Sequence, residues 1–194
     1  HCLSRGLGDV YKRQVVNSDD VFEKLVKTAG MNMDMRNYTK AQEKRRDELR
    51  DVAKRITKTR EKNYVDGRLG LIIDGTGKNY DKIEKQMREL QQLGYESHMI
   101  FVNTSLDVAL ERNQKRPRKL PEPLVVKSWN NVQKNIGKFQ NLFRDKFIIV
   151  DNNDPNEPPH IEVFKRVKQL ANKKVTNGIA KRWIANELEM KKRV

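Results

Sequence analysis

Cysteine is nearly absent: Cys2 is the single one in 194 residues, which excludes an intramolecular disulfide framework or a cysteine-rich zinc site and fits a reducing compartment such as the cytoplasm. No apolar run approaches the roughly 20 residues that cross a bilayer, so a membrane-spanning helix is excluded. Hydrophobic residues make up only 36%, short of an ordinary globular domain even with the 10 glycines added. The core is therefore modest and the helices are long and heavily solvated. Histidine is also sparse, and His1, His98 and His160 are too scattered to read as a metal cluster. Positive charge, by contrast, is plentiful. The 41 Lys and Arg residues exceed the 26 Asp and Glu by 15, which points to a polyanionic partner, either nucleic acid or a phosphorylated ligand. A charge that serves solubility alone is the plainer alternative.

Short apolar runs alternate with amphipathic stretches, and no internal repeat interrupts the pattern. Val15-Val16-Asn17 reads as a strand end, and Ser18, Asp19 or Asp20 can cap a following helix carrying Phe22, Leu25, Val26 and Ala29 up to Gly30. Residues 39–63 form a charge-laced helix with one narrow apolar stripe, Leu49, Val52, Ala53 and Ile56. Residues 69–74 are a continuous apolar run ending in acid and glycine, as a parallel strand buried on both faces requires. Ile83, Met87 and Leu90 mark a helix that Gly94 ends, and residues 99–102 are the next strand. A helix capped by Thr104 or Ser105 runs to Arg116, where Pro117 breaks it. A basic loop delimited by Pro121 and Pro123 leads into one long helix with Val125, Trp129, Val132, Ile136, Phe139 and Phe143 on a face. Residues 147–150 are a fourth strand, and two helices finish the chain.

Strands alternating with helices over short connections predict an α/β fold of three layers around a parallel sheet. Ligands of such sheets sit beyond the carboxyl ends of the strands. Asp19, Asp74, Gly75, Thr76, Asn103 and Asp151 all fall at or just after those ends and should share one edge, although each is also an ordinary cap or turn residue. Gly75-Thr76-Gly77-Lys78 imitates part of a phosphate-binding loop. That loop needs Gly-x-x-x-x-Gly-Lys followed by Ser or Thr, and Asn79 stands there instead.

The opening residues differ in kind from the rest. Residues 4–14 read SRGLGDVYKRQ, and the last six are what GAT GTG TAT AAG AGA CAG encodes, which resembles the mosaic end of a transposon sequencing adapter. Residues 1–14 are accordingly expected to be an adapter artefact on a fragment lacking its natural start. Setting aside Arg5, Lys12, Arg13 and Asp9 still leaves a charge of +13.

Val16-Asn17-Ser18-Asp19-Asp20, Ile72-Ile73-Asp74-Gly75-Thr76, and residues 110–116 together with Val125-Val126-Lys127-Ser128-Trp129 produce a combined pattern. In order and spacing it resembles the P-loop kinase domain of phage-type polynucleotide kinases and, more loosely, the zeta-toxin kinases. The chain as a whole also resembles kinase-like proteins of tailed phages.

The resemblance implies ATP and magnesium as cofactors, a nucleotide partner with nucleic acid as a further one, and a kinase core over residues 15–151. The core carries a lid at about residues 112–125, a helical extension follows over residues 152–194, and the first, P-loop strand is missing. It implies Asp19 as the catalytic acid that takes the proton of the attacking hydroxyl; helix capping is the alternative. It implies Arg116 as the lid arginine over the transferred phosphate, with Asp74, Thr76, Arg112 and Arg118 on the nucleotide or substrate. A solvated basic helix end accounts for the arginines equally well. Two departures stand out. Phe22 occupies the place where the polynucleotide kinase pattern has an arginine three residues after the acid, and Gly75 separates Asp74 from Thr76.

The expected activity is transfer of the terminal phosphoryl of ATP to a hydroxyl of a nucleic acid or nucleotide, absent in the fragment itself for want of its phosphate loop. A non-catalytic nucleic-acid-binding domain and an ATPase without a hydroxyl acceptor are the competing functions. For the sheet, the expectation is four native strands with a gap, an imperfect closure, or adapter residues filling the central place.

Overall fold

A computed structural model describes residues 2–4, 14–154, 156 and 160–192. Most of the adapter-like segment, residues 1 and 5–13, lies outside the described residues. In chain order the elements are β1 (Cys2–Ser4), β2 (Gln14–Val16), α1 (Asp19–Thr28), α2 (Lys40–Asp66), β3 (Leu71–Ile73), α3 (Tyr80–Gln92) and β4 (Ser97–Asn103). They continue with α4 (Leu106–Lys115), α5 (Glu122–Gln133), α6 (Ile136–Phe143), β5 (Phe147–Asp151), α7 (His160–Asn172) and α8 (Gly178–Lys191). No helix among the described residues is long and apolar enough to cross a membrane.

One five-stranded sheet runs β2-β3-β1-β4-β5. β2 pairs parallel with β3, and β4 pairs parallel with β5. β1 lies between β3 and β4 and runs antiparallel to both. The expectation of a wholly parallel sheet is therefore corrected. A parallel crossover needs a dozen or more residues, and the chain between Ser4 and Gln14 is too short to provide one. The other four strands share one direction, and residues 2–4 occupy the central place. β1 reaches only as far as Met99 on β4 and Ile73 on β3.

β4 shows why its sequence is continuously apolar. Met99 and Phe101 pack with Met87 of α3 and Phe139 and Phe143 of α6. Ile100 packs instead with Val150 and with Val163, Val167 and Leu170 of α7. Successive side chains of a strand point to opposite faces, so both faces of β4 are covered. A separate cluster joins α1 and α2 through Val21, Phe22, Val26, Met35, Leu49 and Ala53, and Leu120 packs against it.

Three expectations from the sequence need correction. The strand expected over residues 69–74 is ordered only as Leu71–Ile73, because the Leu69 carbonyl accepts the Tyr95 hydroxyl at 3.2 Å and its N–H donates to Tyr64, outside the sheet. The single long helix carrying Val125 to Phe143 is two helices. Its break falls at Lys134 and Asn135, where the Asn135 side chain leaves the helix to donate to the Gly77 carbonyl at 3.0 Å. Ser18 holds the N-cap position of α1 without a side-chain cap bond; Asn17 Oδ1 accepts the Asp19 N–H instead, at 2.6 Å. At α2, Thr39 and Gln42 form a reciprocal capping box that explains its sharp start.

The last helix, α8, docks at the opposite end of the sheet from the strand carboxyl ends. Gly94 has φ +95°, and a Cβ there would stand 2.9 Å from the Ala180 backbone nitrogen of α8. Arg68 lies over the Trp183 ring at 6.0 Å. Gly94→Ala combines left-handed strain with a backbone clash and should cost about 2 kcal/mol. The check is the urea midpoint, with amide exchange of α8 accelerating first.

Candidate functional site at the strand carboxyl ends

β2 and β3 deliver two of the expected acids to one edge. The Asp74 N–H donates to the Val16 carbonyl at 3.0 Å, continuing the ladder one residue past β3. Asn17 bridges outward from there: its Nδ2 donates to Asp74 Oδ2 at 2.8 Å while its Oδ1 caps the Asp19 N–H. Asp19 thus opens α1 without using its carboxylate as a cap. That carboxylate accepts Arg50 Nη1 on Oδ1 at 2.5 Å and Arg118 Nη2 on Oδ2 at 3.2 Å. Burial pushes the Asp19 carboxyl up, but the hydrogen bonds and charges of Arg118 and Arg50 outweigh it and hold the group below the usual carboxylate value.

Arg50 comes from the long helix, and its place follows from helical spacing. It lies three residues before Ala53 and seven before Thr57, both buried, so it shares their face. Its guanidinium stacks over Phe22 at 3.9 Å from the ring centroid. Phe22, buried in the α1–α2 cluster, thereby supports an arginine that reaches the acid from another helix. In the sequence, Arg50 stands out only as one of many basic residues on a solvated helix.

Arg118 sits on the loop after α4, which is held rather than loose. Buried Asn113 closes the loop by donating to the Leu120 carbonyl at 2.8 Å and accepting the Leu120 N–H at 3.0 Å. Arg116 Nη2 donates to the same Asn113 Oδ1 at 3.0 Å. The Met35 N–H donates to the Lys119 carbonyl at 3.0 Å, tying the loop to the α1–α2 lobe. Asn113→Ala removes partners from both Leu120 backbone groups and should cost about 2 kcal/mol. Amide exchange of residues 118–120 should rise while that of β4 stays slow.

Of the remaining expected residues, Arg116 is near Asp19 and Glu23 without bonding either. Burial, followed by the charge of Arg118, lowers its pKa. Arg112 contributes its carbonyl to the Arg116 N–H; among the described residues its side chain makes no ion pair with Asp19 or Asp74, so the helix register carries it away from the acids. Thr76 is exposed on the turn after β3. That turn, with the ends of β3 and β4 and the Phe139 ring, lines a cavity of about 220 Å³.

Residues 75–78 lack the ending of a phosphate loop, because Asn79 stands where Ser or Thr is required. The Gly77 carbonyl is tied to Asn135, and Asn79 Oδ1 caps α3 by accepting the Lys82 N–H at 3.0 Å. Among the described residues no three acidic, histidine or cysteine side chains gather around a metal position. Asp74 and Thr76 fit only a magnesium ion held mainly by a nucleotide's phosphates and water.

Residues 30–158 match the Zeta toxin family. The chain belongs to that family, which is part of the P-loop kinase-like superfamily. The match contains Arg50, Asp74, Thr76, Arg112, Arg116 and Arg118, and begins after Asp19. Neither the search of curated proteins nor that of solved structures gave a match.

Proposed function

We propose that the protein is the acceptor-and-lid part of a P-loop kinase that moves the terminal phosphoryl group of ATP, with magnesium, to a hydroxyl of a nucleic acid or nucleotide. The observation that carries this reading is the meeting of Asp19 with arginines from two distant segments, beside Asp74, at the carboxyl edge of the sheet. Asp19 would accept the hydroxyl proton as the new P–O bond forms. Arg118 and Arg116 would balance charge on the transferring group. With ATP and magnesium bound, the nucleotide would be the phosphoryl donor and the metal would offset charge on the departing nucleoside diphosphate. Covered faces on both sides of β4 support a three-layer arrangement, and the central place held by β1 is where we infer the P-loop strand belongs.

The sequence contains no glycine-rich loop ending in Lys and Ser or Thr, so the chain alone is expected to transfer nothing. The test is transfer of γ-labelled phosphate by protein carrying the coding sequence that precedes Val15 in its natural gene. Label on a 5′-hydroxyl oligonucleotide or a nucleotide supports the kinase; label only in free phosphate overturns it in favour of an ATPase. The +15 charge favours one further reading, a basic nucleic-acid-binding domain. That reading requires oligonucleotide affinity that falls steeply with salt and does not change with Asp19 or Arg118.

A further inference from the structure

Asp19 as it stands is poorly arranged to take a proton, because both of its oxygens are occupied by guanidinium donors. The two arginines are not equivalent. Arg50 belongs to a long helix and is seated on Phe22. Arg118 lies 6.0 Å from that ring, on a loop whose backbone is fixed by Asn113 and Met35. Its side chain is only 12% exposed, and Glu23 stands 3.5 Å from Nη1. Yet among the described residues Nε and Nη1, both buried, meet no hydrogen-bond acceptor, the Glu23 contact lacking hydrogen-bond geometry. A buried donor left unmatched carries its desolvation cost uncompensated, so the resting pair holds Arg118 in an incompletely satisfied position.

We propose that Arg118 is a ligand-released guard on Asp19: a phosphate-ester anion entering the site takes over its guanidinium and frees Oδ2 of the carboxylate. This coupling rests on the reading of Asp19 as the proton acceptor. A tetrahedral phosphate offers several charged oxygens, two of which can engage the planar fork of a guanidinium at once, and they can reach donors that Asp19 and Glu23 leave unmatched. The loop backbone is tied at both ends, so the exchange is a side-chain rotation of Arg118, while Arg50 stays on Oδ1. Arg116, exposed and repelled by Arg118, gains a counter-charge from the same anion. Asp19 is thus masked when the site is empty and exposed when a phosphate arrives.

The test is calorimetric titration of the full 194-residue chain with inorganic pyrophosphate. Asp19→Asn removes the charge that competes for Arg118 and should tighten binding about tenfold. Asp20→Asn removes an equal charge from the exposed neighbouring residue and should change affinity by less than about twofold. In an Arg118→Lys background, which keeps the charge but loses the planar donors, the extra gain from Asp19→Asn should vanish. Equal responses at Asp19 and Asp20, survival of the gain without Arg118, or no pyrophosphate binding in any variant overturns the proposal. Repeating the titration with ATP and with a 5′-hydroxyl dinucleotide locates the source of the anion. A gain with either supports the coupling, and a gain with neither overturns it. No phosphoryl transfer enters these measurements. A chain that shows the Asp19-specific gain but whose restored form never transfers phosphate keeps the guard and loses the kinase reading.

Discussion

Phe139→Ala should lower folding stability by about 3–5 kcal/mol, the largest single loss expected in the chain. Phe139 is fully buried and packs with Met87, Met99, Phe101 and Phe143, and Tyr80 stands with its ring centroid 5.5 Å away. The side chain joins α6 to α3 and β4 and also forms one wall of the cavity beside residues 74–77. Its ring would stand 3.6 Å from a Cβ built on Gly77, so truncation withdraws support from the turn that follows Asp74. Urea unfolding measures the loss. Quicker amide exchange at residues 75–78 than in α1 would show that the damage spreads toward the site; equal acceleration throughout would mean that only global stability has fallen.

Phe139 also shows what the sequence revealed and what it hid. Its place on an apolar stripe identified it as core, because helical periodicity records which face is covered whatever covers it. The same stripe concealed the break at Lys134 and Asn135. Two short helices in nearly continuous register present the same spacing as one long helix, and the cause of the break, the bond from Asn135 to the Gly77 carbonyl, is a contact between distant residues. β4 was legible because, in so polar a chain, an unbroken apolar run marks a strand covered from both sides; β5 gives the same signal although its Ile149 is 53% exposed. The direction of β1 was not, since three residues carry no periodicity and their pairing depends on which neighbours are already in place.

The site divided along similar lines. Asp19 and Asp74 were legible from their position after apolar runs, which is local information. Arg118 was named only through the resemblance, outside residues 110–116 and 125–129 that carry its motifs. Arg50 and Asn113 were hidden as site residues because their partners lie 31 and 7 positions away and their types are common on solvated helices. One signal was available for Arg50: it recurs with Ala53 and Thr57 on the buried face of α2, where a charged residue requires a partner. The departure at Phe22 has a structural counterpart in the same place. The residue three places after the acid is a ring on which a distant arginine rests, rather than an arginine itself.

Asp19→Asn should reduce phosphoryl transfer by the loop-restored protein about 10²–10⁴-fold, the range expected for loss of a general base. The amide keeps the shape of the carboxylate and can still accept from Arg50, but it cannot take a proton from the attacking hydroxyl. Stability should change little, because the side chain is 41% exposed. Unchanged thermal unfolding with collapsed turnover would therefore assign the loss to chemistry, and unchanged turnover would remove Asp19 from the reaction. The pH dependence gives a second readout. Arg118 and Arg50 hold the folded carboxyl below its ordinary value, so the stability it lends is complete above the unfolded value, about 3.9, and is lost as pH falls through the lower folded one. Release of Arg118 by a bound phosphate ester relaxes that depression. The acid limb of transfer set by Asp19 should consequently lie at higher pH in the ligand-bound protein than the carboxyl titration of the free chain, and replacing Arg118 by lysine should bring the two together.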